Sequence, residues 1–453
     1  MSDFTRLLSR NRNYRCTWMG QIVSEAGDHF NNVAVLSLAI DEAHSGAVIA
    51  GVMLSRAIPA VIAGPLAGVL LDRFDRKRIM IASDLVRGVI ALGFILAIGM
   101  RQTWLLYLLS ALLMLASPFF TSGRSAILPS IATEEELHAA NSLTQTTGWM
   151  TLAVGAFTGG AAVARFGYEM AFLFNSLSFF FSALCISRLR STDGHFRAVE
   201  HHAEGHAPRP WADCRDGLAY MLKTPLILGI GLIAVGWASG GGAAQVLFTL
   251  FSELVFRRGA QGLGELWGTA GIGLLIGGVA GNYIGKRIRF ESYKKTVFFC
   301  YLLHGGSYVI FSQMRHWGWA LFFMGLSRAS VAVSSVLNWS KLLQHVDNRF
   351  RGRVFSTIET MNWSTMMWSM LAAGAASEYF SIRAIGAASG LLSSCTAIFW
   401  GWANWTGRLP EPGRESRNPQ VATLDAHSAA STNVPVPAFE LAPASAVLEH
   451  ADV

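Results

Sequence analysis

Twelve long apolar runs, separated by polar turns, constrain the fold of this chain more than any other feature. About 20 mostly apolar residues cross a bilayer as one helix, and each run is long enough to do so. The runs lie at residues 16–40, 46–71, 79–100, 103–122, 139–164, 169–189, 225–251, 263–285, 295–313, 317–340, 354–377 and 384–405. Only 14% of the 453 residues are charged, whereas about 25% is usual in soluble proteins. Because helices satisfy the backbone inside lipid without closing a barrel, the sequence predicts an all-α membrane protein with twelve transmembrane helices.

The positions of the basic residues predict which helix ends face the cytoplasm. Most of the 36 lysines and arginines fall before the first run, in every second turn, in the central segment and after the last run. The turns on the opposite side carry only Arg101, Arg165, Arg257, Arg258, Arg315 and Arg383. Cytoplasmic segments are enriched in lysine and arginine. We therefore expect a multi-pass protein of the bacterial inner membrane with both termini in the cytoplasm.

A polar segment in the middle of the chain divides the runs into two groups of six. The predicted divisions are an N-terminal six-helix bundle at 1–190, a cytoplasmic central loop at 191–224, a C-terminal six-helix bundle at 225–406 and a disordered cytoplasmic tail at 407–453. The tail is rich in Ala, Ser and Pro and has no apolar period. The histidines of the loop are His195, His201, His202 and His206. No acid or cysteine accompanies them at ligand spacing, so we interpret the loop as a solvated linker and not as a metal site.

The turn between the second and third runs packs an acid and several basic residues into a short segment. Its sequence resembles the loop between helices 2 and 3 of the major facilitator superfamily, G-x-L-x-D-R-x-G/D-R-R/K. The matching residues are Gly68, Asp72, Arg73, Arg76 and Lys77. The resemblance implies two six-helix bundles and a gating role, in which Asp72 latches the cytoplasmic side closed while the transporter faces outward. The alternative is that the basic residues of this turn only fix the topology.

The turn between the eighth and ninth runs repeats part of this charged turn. Lys286 and Arg287 correspond to its basic residues, whereas Gly285 stands where the first half has Asp72. The two bundles are therefore expected to be pseudo-symmetric. Internal repeats of this kind place the substrate site between the halves, near the midplane of the membrane.

The fifth run carries glycines at the spacing of an exporter motif of the same superfamily. Its sequence resembles G-x6-G-P-x-x-G-G at Gly148, Gly155, Gly159 and Gly160, with Ala156 in place of the proline. Small residues at this spacing let helices approach closely and pivot. The resemblance implies export in preference to import, and the alternative is ordinary packing of small residues.

Four polar residues share one face of the first run. Gln21, Glu25, Asp28 and Asn32 follow the helical spacing that places them in one stripe. Charged groups at membrane depth are costly and usually face a cavity or a proton path. A carboxyl group that gains a proton from one side and releases it to the other is the minimum for proton coupling, so Glu25 and Asp28 are the predicted coupling residues. The alternative is that Asp28 belongs to a structural hydrogen-bond network and never changes its protonation.

Polar residues inside the runs are also candidates for lining a substrate cavity. They are Gln21, Asn32, Gln145, Gln245, Arg328, Asn338, Glu359 and Asn362. Arg328 has no acid on its own helix, so it needs a partner elsewhere or binds an anionic group of the substrate. Asp84 and Arg87 lie one turn apart, and we expect them to pair with each other.

Aromatic residues and glycines lead to two further expectations. The candidates for an aromatic cavity wall are Trp18, Trp149, Trp237, Trp339, Trp363 and Trp368. The glycine-rich stretch 236–242 predicts an interruption of the seventh helix, because broken helices recur where transporters bend or gate. The alternative for that stretch is a packing notch.

Three stretches of the first half resemble a bacterial branch of the superfamily that holds macrolide efflux proteins and the enterobactin exporter. They are residues 10–15 leading into 20–28, residues 84–87, and residues 124–129 followed by 135–141. Members of that branch export drugs or siderophores, usually driven by protons, and Asp28 fits its pattern. The resemblance implies a secondary active transporter that works by alternating access. It would export a siderophore or drug-like compound across the inner membrane in exchange for protons.

The residues leave other functions open. A proton-coupled importer, a lysolipid flippase or a transporter-like sensor without net transport would share most of these features. An enzyme is not expected, because the sequence contains no H-E-x-x-H, G-x-S-x-G or G-x-x-x-x-G-K-[ST] motif. We predict no cofactor, no metal and no nucleic-acid partner. The expected partners are a small-molecule substrate, protons and membrane lipid, and the protein is expected to be a monomer.

Overall fold

A computed structural model of the protein describes residues 3–100, 102–190, 196 and 210–411. These residues form α-helices joined by short turns, with one π-helix at Phe251–Val255 and no strand among them. The helices are α1 (Asp3–Arg10), α2 (Arg12–Ala43), α3 (Gly46–Arg73), α4 (Arg76–Met100), α5 (Thr103–Ile131), α6 (Glu134–Phe166), α7 (Tyr168–Ser187), α8 (Pro210–Lys223), α9 (Pro225–Leu250), α10 (Gly259–Gly285), α11 (Phe290–Gln313), α12 (Trp317–His345), α13 (Asn348–Ala376) and α14 (Ile382–Trp405). The tail beyond residue 411 and the histidines His195, His201, His202 and His206 lie outside the described residues.

The prediction of twelve transmembrane helices is confirmed by α2–α7 and α9–α14. Among the described residues, eight stretches are long and apolar enough to cross a membrane, and one of them, Glu135–Ser187, covers both α6 and α7. The spanning helices outside these stretches are α2, α11 and α13. Each of the three carries charged side chains, such as Glu25, Lys294 and Glu359. Such helices stay in the membrane because their polar faces turn toward protein or a cavity.

Capping side chains mark where the helices of the first half begin. Asn11 caps α2 by accepting a hydrogen bond from the Tyr14 backbone N–H at 2.9 Å. Thr133 and Glu136 form a capping box at the start of α6, which satisfies two N–H groups that the helix leaves free. Asn11 also donates to Glu136 Oε2 at 2.9 Å, so the first turns of α2 and α6 are tied together.

The two groups of six helices pack by the same pairing. In the first group α2 packs against α6 and α7, α4 packs against α5 and α7, and α3 packs against α5. In the second group α9 packs against α13 and α14, α11 packs against α12 and α14, and α10 packs against α12. Adding seven to each label of the first set gives the second. The predicted pseudo-symmetric bundles are therefore confirmed.

One lysine contact repeats with the helix pairing. Lys77, in the first turn of α4, donates to the Leu189 carbonyl just beyond α7 at 2.8 Å. Lys294, near the start of α11, donates to the Leu409 carbonyl beyond α14 at 3.2 Å. Each lysine ties the start of one helix to the end of its neighbour, where the unpaired carbonyl groups of a helix attract a cation.

The halves meet chiefly along two helix pairs, α6 with α10 and α3 with α13, and α2 and α3 make smaller contacts with the second half. We call the end of the bundle that holds the turn between α3 and α4 and the start of α9 the basic end, and the opposite end, where α2 and α9 finish, the far end. At the far end one hydrophobic core joins both halves. It includes Leu36 and Val52 of the first half and Leu247, Leu263 and Met370 of the second.

Near the basic end each half has a separate core. That of the first half includes Tyr14 and Met80, and that of the second includes Tyr293 and Trp400. Burial of apolar side chains is the main force that holds such surfaces together. In the part of the chain that the structure describes, the halves are thus joined by apolar packing at the far end and have separate apolar cores at the basic end.

The segment predicted as the central loop contains a helix that the sequence did not lead us to expect. Helix α8 packs against α9 and α13. Its Met221 is buried in the core of the second half, and its Asp216 pairs with Arg353 of α13 at 3.1 Å.

The predicted interruption of the seventh helix is wrong. Helix α9 runs without a break through the glycine-rich stretch, and its glycines admit neighbouring helices. A Cβ atom on Gly240 would lie 2.3 Å from the Ser389 carbonyl oxygen of α14, and one on Gly242 would lie 2.3 Å from the Met366 carbonyl oxygen of α13. The stretch is therefore a packing notch, and the irregular part of the chain is the π-helix that follows α9.

Candidate functional site

A cavity of about 680 Å³ lies between the halves. Its walls come from α6 of the first half and from α9–α13 of the second half. It extends from Trp237, in the middle of α9, to Leu343, near the end of α12. Because the shared core fills the far end, the cavity belongs to the part of the bundle on the side of the basic end.

The cavity wall is mainly aromatic and aliphatic. Trp149, Trp237, Trp339 and Tyr301 contribute rings to it, which confirms part of the predicted aromatic wall. Trp18 lies elsewhere and donates to Thr147 Oγ1 at 2.8 Å. Trp363 and Trp368 are exposed and do not line the cavity.

Four of the eight predicted cavity residues line this space. They are Gln145 on α6, Asn338 on α12, and Glu359 and Asn362 on α13. Asn338 accepts a hydrogen bond from the Tyr293 hydroxyl at 2.8 Å, so one of its polar atoms is already engaged. Amide and carboxylate groups on an apolar wall can orient a bound organic molecule.

The other four predicted cavity residues do not line this space. Gln21 donates to Glu25 Oε1 at 2.9 Å and to the Thr144 carbonyl at 3.1 Å. Asn32 accepts from Arg56 at 2.5 Å. Gln245 lies in the far-end part of α9, and Arg328 is buried in α12 with an exposed fraction of 8%.

Glu25 is held by a full set of donors inside the first half. Arg124 forms an ion pair with it at 2.8 Å, and Gln21 and Thr151 donate to its carboxylate at 2.9 Å and 2.8 Å. The apolar pattern did not indicate Arg124 as a partner, because the fourth apolar run ends at residue 122, whereas α5 continues to Ile131. The signal that would have found it is charge balance, since a carboxylate at membrane depth needs a cation.

Asp28 has a different environment one turn further along α2. Its Oδ1 is buried and has no hydrogen-bond partner in the part of the chain that the structure describes. Arg87 and Arg56 are the cations that act on it most strongly, and Glu25 and Asp84 are the nearby acids. The stripe on α2 therefore contains one carboxyl group that is fully bonded and one with a free buried oxygen.

Asp84 and Arg87 pair with each other in α4, as predicted. Both side chains are buried, with exposed fractions of 0% and 2%. The Arg87 guanidinium also lies over the rings of Phe120 and Phe179, 4.7 Å and 4.3 Å from their centres. Cation–π contacts of this kind stabilise a desolvated guanidinium.

The predicted gating residues of the charged turn fall into two groups. Arg76 donates to the Ala126 carbonyl of α5 at 2.7 Å, and Lys77 bonds the end of α7 as described above. These two residues fasten the helices of their own half. The side chains of Asp72 and Arg73 are exposed and make no hydrogen bond or ion pair with the described residues, and a Cβ atom on Gly68 would meet nothing within 4 Å.

Asp75 stabilises the turn itself. Its carboxylate accepts from the backbone N–H groups of Arg78 at 2.9 Å and Phe196 at 2.8 Å. Partial burial raises the pKa of Asp75, but these two hydrogen bonds together with the Arg78 and Lys77 cations lower it below its ordinary value. Asp75 therefore stays ionised and holds the start of α4 in place.

The glycines of the predicted exporter motif face two different neighbours. Gly155 and Gly159 pack against His29 and Phe30 of α2, within their own half. Gly160 packs against α10 of the other half, where its added Cβ atom would lie 2.8 Å from the Cα atom of Gly264. Gly148 has space around it, with only Glu25 Oε2 within 4 Å of an added Cβ.

Comparison with known proteins agrees with this architecture. Putative bacilysin exporter BacE of Bacillus amyloliquefaciens is 27% identical over 343 residues, covering 75% of this chain and 82% of that protein. Enterobactin exporter EntS of Shigella boydii is 25% identical over 300 residues, covering 64% of this chain and 67% of that protein. The resemblance to the branch of the enterobactin exporter is thereby confirmed.

The fold is also that of solved transporter structures. The crystal structure of a bacterial homologue of iron transporter ferroportin in the inward-facing state superposes with a TM-score of 0.67 at 17% identity, covering 86% of this chain and 98% of that chain. The sequence profile of the Major Facilitator Superfamily matches residues 17–367. With most of its transmembrane helices inside that match, the chain belongs to the Major Facilitator Superfamily.

Proposed function

We propose that the protein exports a small organic molecule, a siderophore or a drug-like compound, across the bacterial inner membrane in exchange for protons. The observation that carries this proposal is the cavity between the bundles, which lies toward the basic end while the shared core closes the far end. The excess of basic residues favours a cytoplasmic basic end with both termini on that side. In that orientation the structure is inward-facing and receives its cargo from the cytoplasm.

The composition of the cavity wall supports an amphipathic cargo. Three tryptophans and a tyrosine supply flat apolar surface, and Gln145, Glu359 and Asn362 supply a few polar groups. Pockets for organic ligands commonly combine apolar walls with sparse polar contacts. The relatives named as exporters of bacilysin and enterobactin favour export and a cargo of this general kind.

Alternating access would proceed by rocking of the bundles at 1–190 and 225–406 about the cavity, with the segment 191–224 as the cytoplasmic connection. The pairs α6–α10 and α3–α13 are exchanged by the internal symmetry. Opening of the far end would require the shared apolar core to part, and closing of the basic end would bring the separate cores together. Asp28 would carry the proton, because Glu25 is already engaged with Arg124.

Transport into inverted membrane vesicles tests the proposal. Vesicles with and without the protein are given bacilysin, enterobactin or a macrolide. Each uptake is measured twice, once with an acidic vesicle interior and once after a protonophore has removed the pH gradient. The expected result is accumulation of at least one compound that needs both the protein and the acidic interior. Accumulation that ignores the pH gradient would contradict proton exchange, and protein-dependent binding without accumulation would indicate a sensor.

Cargo other than these three compounds can be found by comparing a deletion strain with its parent. We expect at least one organic compound to disappear from the growth medium and to accumulate inside the deletion strain. Identical secreted compounds in both strains, together with no vesicle uptake, would overturn the export proposal.

A further inference from the structure

A second group of polar side chains lies beyond the cavity, inside the second half. Arg328 of α12 is buried, and no acid forms an ion pair with it in the described part of the chain. Its guanidinium carbon lies 5.2 Å from the centre of the Phe248 ring. Its electrostatic neighbours are the ring of His304 and the hydroxyl of Tyr308. A buried cation without a counter-ion is costly, and residues of this kind in a membrane usually serve a ligand.

Two further donors, one beside Arg328 and one on a ring that packs against the Phe248 ring, are also without a partner among the described residues. The Tyr308 hydroxyl and the Trp267 indole nitrogen are buried and bond to no group among the described residues. Trp267 packs edge-to-face on Phe248, with ring centres 4.9 Å apart, and Phe248 is the ring beneath the guanidinium. Buried donors are nearly always paired in proteins. The group thus has a surplus of donors and a positive charge.

The neighbouring imidazole does not remove this surplus. His304 Nδ1 is engaged by Ser327, with the hydroxyl at 2.8 Å and the carbonyl oxygen at 3.1 Å. The Arg328 guanidinium donates no hydrogen bond to any described residue. What the site lacks is an acceptor, and a carboxylate or phosphate group provides several acceptor atoms and a negative charge in one small unit.

The site lies about one turn of α12 beyond the cavity wall, toward the far end. Val331 and Ala332, one turn after Arg328 on α12, line the cavity wall. Tyr301, on the same helix as Tyr308, lines it as well. For a molecule whose body stays against the tryptophans, one end needs to extend past Val331 and Ala332 to meet this group.

We propose that Arg328, Tyr308 and Trp267 bind an anionic group, a carboxylate or a phosphate, of the transported molecule. This inference rests on the proposed function for the route of the ligand, and it narrows the cargo to amphipathic organic anions. The Phe248 and Trp267 rings exclude water from the charged contact, which strengthens the hydrogen bonds to the guanidinium. The anionic headgroup of a lipid has the same chemistry, and the test separates the two sources.

Ligand binding is measured on the full-length protein in nanodiscs of zwitterionic lipid. The probes are matched pairs of aromatic acids and their amides, beginning with N-acetyltryptophan and N-acetyltryptophan amide, together with aryl phosphates. We expect at least one anion to stabilise the protein against thermal unfolding while its uncharged counterpart does not. Arg328→Gln is expected to weaken the binding of that anion by about tenfold or more, since a charged hydrogen bond is lost. Tyr308→Phe is expected to weaken the binding of the same anion about fivefold.

The unliganded variants distinguish a binding residue from a structural one. An unpaired buried cation opposes folding, so Arg328→Gln without ligand is expected to unfold at the same temperature as the parent or higher. Arg87→Gln, which removes a paired arginine, is the matched control and is expected to unfold at a lower temperature. A lower unfolding temperature for Arg328→Gln would overturn the proposal in favour of a structural role for Arg328. Tyr308→Phe tests anion binding independently of that arginine.

Other outcomes are equally decisive. Equal binding of acids and amides, no anion-specific stabilisation by any probe, or discrimination that persists in Arg328→Gln would overturn the proposal. If anionic lipid in the nanodisc abolishes the binding, the occupant is a lipid headgroup and the substrate assignment falls. The binding measurement needs no transport, so the two proposals can fail separately. Absence of anion binding in a protein that still exports cargo would reject this site alone. Anion binding without vesicle transport would reject export alone.

Discussion

Two carboxyl groups on one helix face differ in what they can do with a proton. Glu25 can take up a proton only by giving up its ion pair with Arg124, whereas Asp28 has a buried oxygen free to receive one. We predict that Asp28→Asn abolishes proton-driven export and leaves the unfolding temperature in detergent unchanged within a few degrees. The measurement is vesicle uptake with and without an acidic interior. Glu25→Gln is the control, with an expected stability loss of about 1–3 kcal/mol from the broken ion pair. Unchanged export by Asp28→Asn would remove it from proton coupling.

The buried pair of Asp84 and Arg87 makes a second prediction for single residues. Arg87→Gln would leave the Asp84 carboxylate alone in an apolar site and remove the cation over two phenylalanine rings. We expect a loss of about 3–5 kcal/mol in unfolding free energy, as for other broken buried pairs. Denaturant unfolding in detergent micelles measures it. The double variant Asp84→Asn with Arg87→Gln is expected to recover part of the loss, and equal losses in both variants would contradict the idea of an uncompensated charge.

At the scale of helices, the contact of α6 with α10 depends on Gly160 of the predicted exporter motif and not on Gly148. An added methyl group at Gly160 would lie 2.7 Å from the Ala260 carbonyl oxygen and must push the helices apart. We predict that Gly160→Ala lowers stability by about 1–3 kcal/mol and reduces vesicle transport. Gly148→Ala is the matched control, because its methyl group would meet only Glu25 Oε2 at 3.8 Å. Equal effects of the two changes would contradict the assigned helix contact.

Helix positions followed from the sequence, because each span must bury an apolar stretch of fixed length in lipid. The assignment of side chains to the cavity followed only in part. Gln145 and Glu359 face the cavity, while Gln21 and Asn32 bond within the first half, and nothing in the spacing along one helix states which neighbour each face meets. Arg124 was missed for a related reason, since the last turns of α5 are polar and extend beyond the apolar run. Helix packing determines which side chains form hydrogen bonds and ion pairs between helices, and a single sequence does not show that packing.

At the scale of the whole molecule, the two halves share one pairing of helices but differ in the charged residues at the basic end. Asp72 and Arg73 lie exposed at the end of α3, at the basic end of the first half, and the second half has Gly285 at the corresponding place, the end of α10. A free, exposed carboxylate at the end where the halves have separate cores fits a latch that is open in this conformation. The latch would act only in the opposite, outward-facing state. Its removal is then expected to shift the population toward the conformation seen here.

Thiol labelling from the cytoplasmic side tests that shift. Ser335 lines the cavity, so Ser335→Cys, in a chain whose five native cysteines are replaced by serine, reports access to the cavity. We predict that adding Asp72→Asn speeds its labelling up to about fivefold, the effect of losing about 1 kcal/mol of latch interaction. Ser37→Cys, buried in the far-end part of α2, is the shielded control and is expected to stay unlabelled in both backgrounds. Labelling of Ser335→Cys that is the same with and without Asp72 would show that the turn fixes topology alone, because a latch must change the balance between the two conformations.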